Sequence, residues 1–178
     1  MNRRRFLISS ARLAFGLLLS TAPIDCFAKQ IDYHPLSFYH THTGENLDIR
    51  YSFKKGCTTA TQDKVNEFLR DFRTEDVHHI DMKLMGILSQ IQIACGSNGV
   101  FEVISGYRSP KTNHLLRMRS SGVALHSLHM KGRAIDIRLT DVPTHKIQRI
   151  ATLLRRGGVG YYPHSDFVHI DTGRFRTW

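Results

Sequence analysis

Three residues of this 178-residue chain have types and spacing suited to holding a metal ion. His129 and Asp136 stand seven positions apart in Ser127-Leu-His-Met-Lys-Gly-Arg-Ala-Ile-Asp136, and His169 follows in Asp166-Phe-Val-His169. Two imidazoles and one carboxylate leave a fourth position open to water, the donor set of a catalytic rather than a structural zinc ion. The same donors accept other divalent ions as well. His126 competes on paper with His129, and His40 and His42 share one strand face. No carboxylate or third ligand follows the latter pair in pattern, so both are expected to be hairpin side chains near solvent.

The surrounding residues are suited to positioning such a set. Gly132 permits a tight turn after His129, where a side chain would obstruct the reversal. Arg133–Arg138 alternates like a half-buried strand, with Ile135 and Ile137 on one face and Asp136 on the other. Phe167–Asp171 does the same, placing Val168 and Ile170 opposite Phe167, His169 and Asp171. Two such strands can bring His129, Asp136 and His169 around one ion. Upstream, Phe101–Ile104 reads as a strand running into the loop Ser105-Gly-Tyr-Arg-Ser-Pro110, where a Gly/Pro-punctuated segment would present side chains. Arg108 in that loop offers charge-assisted donors to a developing negative oxygen.

The remaining segments supply the frame. Leu36–His42 and Leu47–Phe53 predict a hairpin closed by Thr43–Asn46. Helices are predicted over Thr61–Phe72, with Thr61 as cap, over about Ile80–Cys95, as a short basic helix over Lys111–Arg119, and over Pro143–Arg156. Val159–Tyr162 reads as a further strand and Pro163–Ser165 as a turn. The expectation is an α+β fold: one domain over residues 29–178, with a mostly antiparallel sheet carrying the site and packed against helices. The hairpin and first helices occupy 29–100 and the catalytic core 101–178.

Ser-x-His-x-x-Gly-x-Ala-x-Asp with a distant His, and Ser-Gly-Tyr-Arg-Ser upstream, resembles the D-alanyl-D-alanine peptidase and murein endopeptidase superfamily of zinc peptidases. Within it the chain looks most like the exported murein endopeptidase K-like branch. The resemblance implies one Zn²⁺ on His129, Asp136 and His169. It implies that Arg108 binds substrate and steadies the oxyanion, and that Ser127 helps to hold substrate. In carboxypeptidase-like members a carboxylate three residues before the last histidine serves as base, and Asp166 occupies that position. Other branches use His-x-His there, but Phe167 stands two before His169. Asp171 is the second choice, as an orienting carboxylate. The activity implied is hydrolysis of amides in peptidoglycan cross-links; trimming of stem peptides by a D,D-carboxypeptidase, or a zinc-containing wall-binding module without catalysis, are the alternatives.

The first 28 residues read as an address. Arg3-Arg4-Arg5-Phe6-Leu7 fits the twin-arginine pattern, Leu13–Leu19 is an apolar run too short to span a bilayer comfortably, and Cys26-Phe-Ala28 is a cleavage site. A periplasmic protein is expected, monomeric and with no anchor after cleavage. The mature chain carries 21 basic against 14 acidic residues, a net charge of about +7. That balance suits an anionic envelope. It lacks the aromatic-interleaved basic motif of a nucleic-acid binder. Cys57 and Cys95 remain, without any Cys-x-x-Cys, which argues against thiolate zinc; a disulfide between them stays open.

Overall fold

The computed structural model describes residues 33–178 apart from Ser121. The expected leader, Met1–Ala28, lies outside the described residues. Seven strands form one sheet: β1 Tyr33–His40, β2 Asn46–Ser52, β3 Phe101–Ser105, β4 Ala134–Leu139, β5 Gly158–Tyr162, β6 Phe167–Asp171 and β7 Arg176–Thr177. Their order is β2-β1-β3-β4-β6-β5-β7. β1/β3 and β5/β7 are parallel and the other four pairings antiparallel, as the α+β expectation required.

Four helices accompany the sheet: α1 Thr59–Phe68, α2 Lys83–Cys95, α3 Pro110–Arg119 and α4 Thr144–Leu154. α2 and α4 pack on each other, α2 against β1 and β2 and α4 against β4, β5 and β6. The core between sheet and helices is built from Phe101, Ile135, Ile137, Val168 and Ile170 on the strands, with Leu84, Leu88, Ile91 and Ile147 on the helices. Period-2 alternation therefore sends Asp136, His169 and Asp171 to the opposite face.

Both ends of α1 and the start of α2 differ from the sequence reading. α1 starts at Thr59 rather than Thr61 because Thr58 is the cap, its Oγ1 accepting from Thr61 N at 3.2 Å. It stops at Phe68 rather than Phe72, because the Asp71 carboxylate accepts from Arg73 N and Ser109 N and bends the chain into a loop. α2 begins at Lys83, since Asn66 Oδ1 holds Ile80 N at 2.9 Å and Asp81 Oδ1 holds Lys83 N at 3.0 Å. Gly96 ends it at φ 64°. Cys57 and Cys95 are both free.

His40 is not near solvent, as its hairpin position suggested, but fully buried. Phe68 and Phe72 enclose its ring at centroid distances of 5.8 and 5.6 Å. Its Nδ1 accepts from His42 N and Thr43 N and so ties the hairpin turn. Burial, and then the neighbouring His42, lower its pKa to about 4, so the ring is neutral.

Candidate active site

β4 and β6 are antiparallel neighbours with Asp136 directly opposite His169. His129 arrives from a single 3₁₀ turn, Leu128–Lys131, which Ser127 caps by accepting from His129 N at 3.3 Å. Gly132 ends the turn at φ 61°, a conformation that favours glycine. A side chain there would also run into the backbone oxygen of His79.

The inward atoms of the three residues converge. His129 Nε2 lies 3.2 Å from His169 Nδ1, and Asp136 Oδ1 lies 2.8 Å from His169 Nδ1 and 3.3 Å from His129 Nε2. The edge of a tetrahedron with metal bonds of roughly 2.0–2.1 Å is about 3.3 Å, so the donors already stand at coordination spacing. The outward nitrogens are taken: His129 Nδ1 lies 2.7 Å from Gly106 O and His169 Nε2 lies 3.2 Å from Asp171 Oδ2. Both acceptors demand N–H, which leaves the inward nitrogens as lone pairs. The set fits a divalent ion.

Asp171 is fully buried and held by Arg176 and by the amides of Gly158 and Gly173. Burial raises its pKa, but these donors and His169 outweigh that and keep it ionised. Burial works against charging Asp136 too, yet His129, Arg108 and His169 hold it well below the ordinary carboxylate range. Burial lowers His129. For His169, burial is overcome by its hydrogen bonds to Asp136 and Asp171, and its pKa rises.

A bulge in β3 between Val103 and Ser105 shifts the register so that Ser105 pairs with Asp136. Ser105 Oγ then accepts from Arg108 Nε at 2.8 Å, and Arg108 Nη2 meets Asp136 Oδ2. The guanidinium thus braces Asp136 and stands in the cleft wall. The cleft, of about 510 Å³, is lined by all three metal-set residues, Arg108 and Ser127, with Tyr162, Phe167 and Trp178 on the β5–β7 side.

Asp166 is placed elsewhere. It is exposed and does not line the cleft; its Oδ1 accepts from Thr144 Oγ1 at 2.6 Å, and Oδ2 lies 3.7 Å from Arg138. The reason is local: Asp166 precedes β6 and sits at φ 48° after the 3₁₀ turn Pro163–Ser165, and its carboxylate is aimed at Thr144 at the N-terminus of α4, where negative charge is favoured. His126 is exposed at the cleft, beside the turn that carries His129 and not in the donor set.

The sequence reading missed the C-terminal wall. Trp178 stands 5.2 Å from the His169 ring, donates Nε1–H to Tyr162 OH at 2.9 Å and is covered by Arg176 at 4.7 Å. The alternation Arg176-Thr-Trp178, continuing past the Gly173 turn, was the available signal.

A family model described as peptidoglycan L,D-endopeptidase MepK matches residues 29–178. The chain belongs to the MepK family. A probable peptidoglycan L,D-endopeptidase MepK of Haemophilus influenzae is 41% identical over 99% of this chain and 95% of its own length. The peptidoglycan L,D-endopeptidase MepK of Escherichia coli K12 is 38% identical over 98% of this chain and 96% of its own. The match to the MepK model thus includes the hairpin and first helices as well as the residues around the cleft.

Proposed function

We propose that the chain is an exported, zinc-dependent peptidoglycan endopeptidase that cuts an amide between L and D centres in peptide cross-links. The observation that carries this is the convergence of His129 Nε2, Asp136 Oδ1 and His169 Nδ1 at coordination spacing on a cleft that also holds Arg108. The bond class comes from the names of the relatives.

His129, Asp136 and His169 would hold the ion, which supplies Lewis acidity to the amide carbonyl and acidifies a water for attack. Arg108 offers the developing oxyanion its charge. Nε and Nη2 are engaged with Ser105 and Asp136, and Nη1 makes no hydrogen bond among the described residues. Such a fixed, partly desolvated donor acts without reorganising during the reaction. Asp171 keeps His169 in the tautomer that presents Nδ1. Ser127 caps the His129 turn and lines the cleft beside the substrate. Asp166, outside the cleft, is given no step. The leader ending near Ala28 would direct the protein by the twin-arginine route to the periplasm, where it acts as a monomer.

The test is digestion of purified sacculi by the Lys29–Trp178 protein, with and without chelator, read by muropeptide mass spectrometry. Loss of cross-linked dimers that chelator abolishes and zinc restores is the expected result. Shortened stems with intact dimers would replace the endopeptidase by a carboxypeptidase. Unchanged muropeptides with metal still bound would overturn catalysis altogether.

A further inference from the structure

Three arginines line the cleft: Arg73, Arg108 and Arg176. Arg108 is paired with Asp136 and Arg176 with Asp171. Among the described residues Arg73 makes no salt bridge, although it stands on the same cleft. Arg73 is exposed, but it is held in position in two ways.

Its guanidinium carbon lies 4.1 Å from the Phe72 ring centroid, a cation–π arrangement, and Phe72 in turn stacks on His42 at 4.2 Å with an interplanar angle of 13°. Its backbone is fixed by Asp71, a fully buried carboxylate. Asp71 Oδ1 accepts from Arg73 N at 3.0 Å, and Oδ2 accepts from Ser109 N, the residue after Arg108, at 2.8 Å. Leu69 O accepts from Tyr107 N at 2.8 Å and completes the stitch between the two loops. One carboxylate therefore sets the backbone beside both arginines while contributing no ion pair to either. Partial loss of hydration and the like charges of Arg108 and Arg119 pull the Arg73 guanidinium below its ordinary value, against the opposing effect of Asp71. An arginine remains charged through such a shift. Arg73 thus brings to this end of the cleft a positive charge that no ion pair among the described residues neutralises.

The peptide part of peptidoglycan carries free carboxylates beside its amides. We propose that Arg73 is a second substrate anchor, binding a free carboxylate of the stem peptide outside the scissile amide while Arg108 serves the reacting carbonyl. The inference rests on the peptidoglycan-peptidase reading. It assigns the selection of acidic peptide to the 69–76 loop rather than to the metal motif. Binding of that kind is uniform between ground and transition states, so it belongs in KM.

The experiment compares wild type and Arg73→Gln on soluble cross-linked muropeptide dimers with their carboxylates free or amidated. On the free substrate Arg73→Gln should raise KM about tenfold, equivalent to ~1.4 kcal/mol, with kcat within about twofold. Amidation should raise the wild-type KM by a similar factor and leave that of Arg73→Gln unchanged. Arg73→Lys, which keeps the charge and loses the planar fork, should fall between them; it serves alone should the glutamine variant not fold. Equal KM values for wild type and variant, or the same loss on both substrates, would overturn the anchor. A wild type that cleaves the dimers but does not distinguish amidated from free overturns the anchor alone. One that cleaves neither overturns the peptidase reading and the anchor with it.

Discussion

Asp171 Oδ2 lies 3.2 Å from His169 Nε2, on the side of the ring away from Asp136, and this contact decides which nitrogen of His169 faces the metal set. Asp171 is itself fixed by Arg176 and two glycine amides, so the ring orientation is inherited from a rigid carboxylate. Asp171→Asn keeps the shape and removes the charge, and its amide can donate to Nε2 and drive the proton to Nδ1. Metal affinity should fall roughly 10- to 100-fold, the usual cost of losing such an outer partner. Competition against a chromogenic chelator measures it; an affinity within twofold of wild type would show that the contact does not set the tautomer.

Asp166 gives the contrasting expectation. It accepts from Thr144 at the start of α4 and stands 3.7 Å from Arg138, with its side chain 61% exposed. Asp166→Ala should therefore leave metal content unchanged and cross-link cleavage within about twofold of wild type. The stability cost should be about 1 kcal/mol or less, as for an exposed helix-terminal contact. Steady-state cleavage rates decide the matter. A drop of a hundredfold or more with metal still bound would restore Asp166 as the base.

These two aspartates show what was legible in the chain. The alternation in β4 and β6 was visible, so the shared face of Asp136, His169 and Asp171 could be read directly. Asp166 was placed by its spacing from His169, but it lies before β6 begins, in a left-handed turn whose direction that spacing does not fix. Arg73 and Asp71 left no local signal. Their positions come from a loop-to-loop hydrogen bond spanning 38 residues, which only tertiary structure reveals. His40 was misread although the hairpin's own alternation pointed inward: it stands in phase with the buried Leu36 and Phe38 on β1, and Phe68 and Phe72 cover that face.

Gly132 joins the metal turn to β4 at φ 61°, with the His79 carbonyl packed where a Cβ would project. Gly132 O also accepts from Asp81 N at 2.9 Å, so neither strand of this contact can retreat freely. Gly132→Ala should lose about 1–2 kcal/mol to left-handed strain and a further ~1–3 kcal/mol to overpacking. It should also weaken metal binding by shifting His129. Urea unfolding and metal titration on the same protein test both parts; a destabilisation under 1 kcal/mol would show that the turn relaxes.

His40 predicts an acid-sensitive share of stability away from the metal set. Its folded pKa of about 4 lies below the ordinary 6.5, because the buried ring between Phe68 and Phe72 resists charging. The neutral form is the folded form, so this stability is fully present above pH 6.5 and is lost as pH falls toward 4, where only the unfolded chain takes up the proton. Between pH 7 and pH 5 the loss should be about 2 kcal/mol, at ~1.4 kcal/mol per unit of pKa difference. His129 adds to the same trend and His169 opposes it, so the comparison is between wild type and His40→Gln. The variant is expected to be less stable at pH 7 and flatter with pH by about that amount in metal-free urea titrations. Parallel pH curves for the two proteins would mean that His40 titrates normally in the fold.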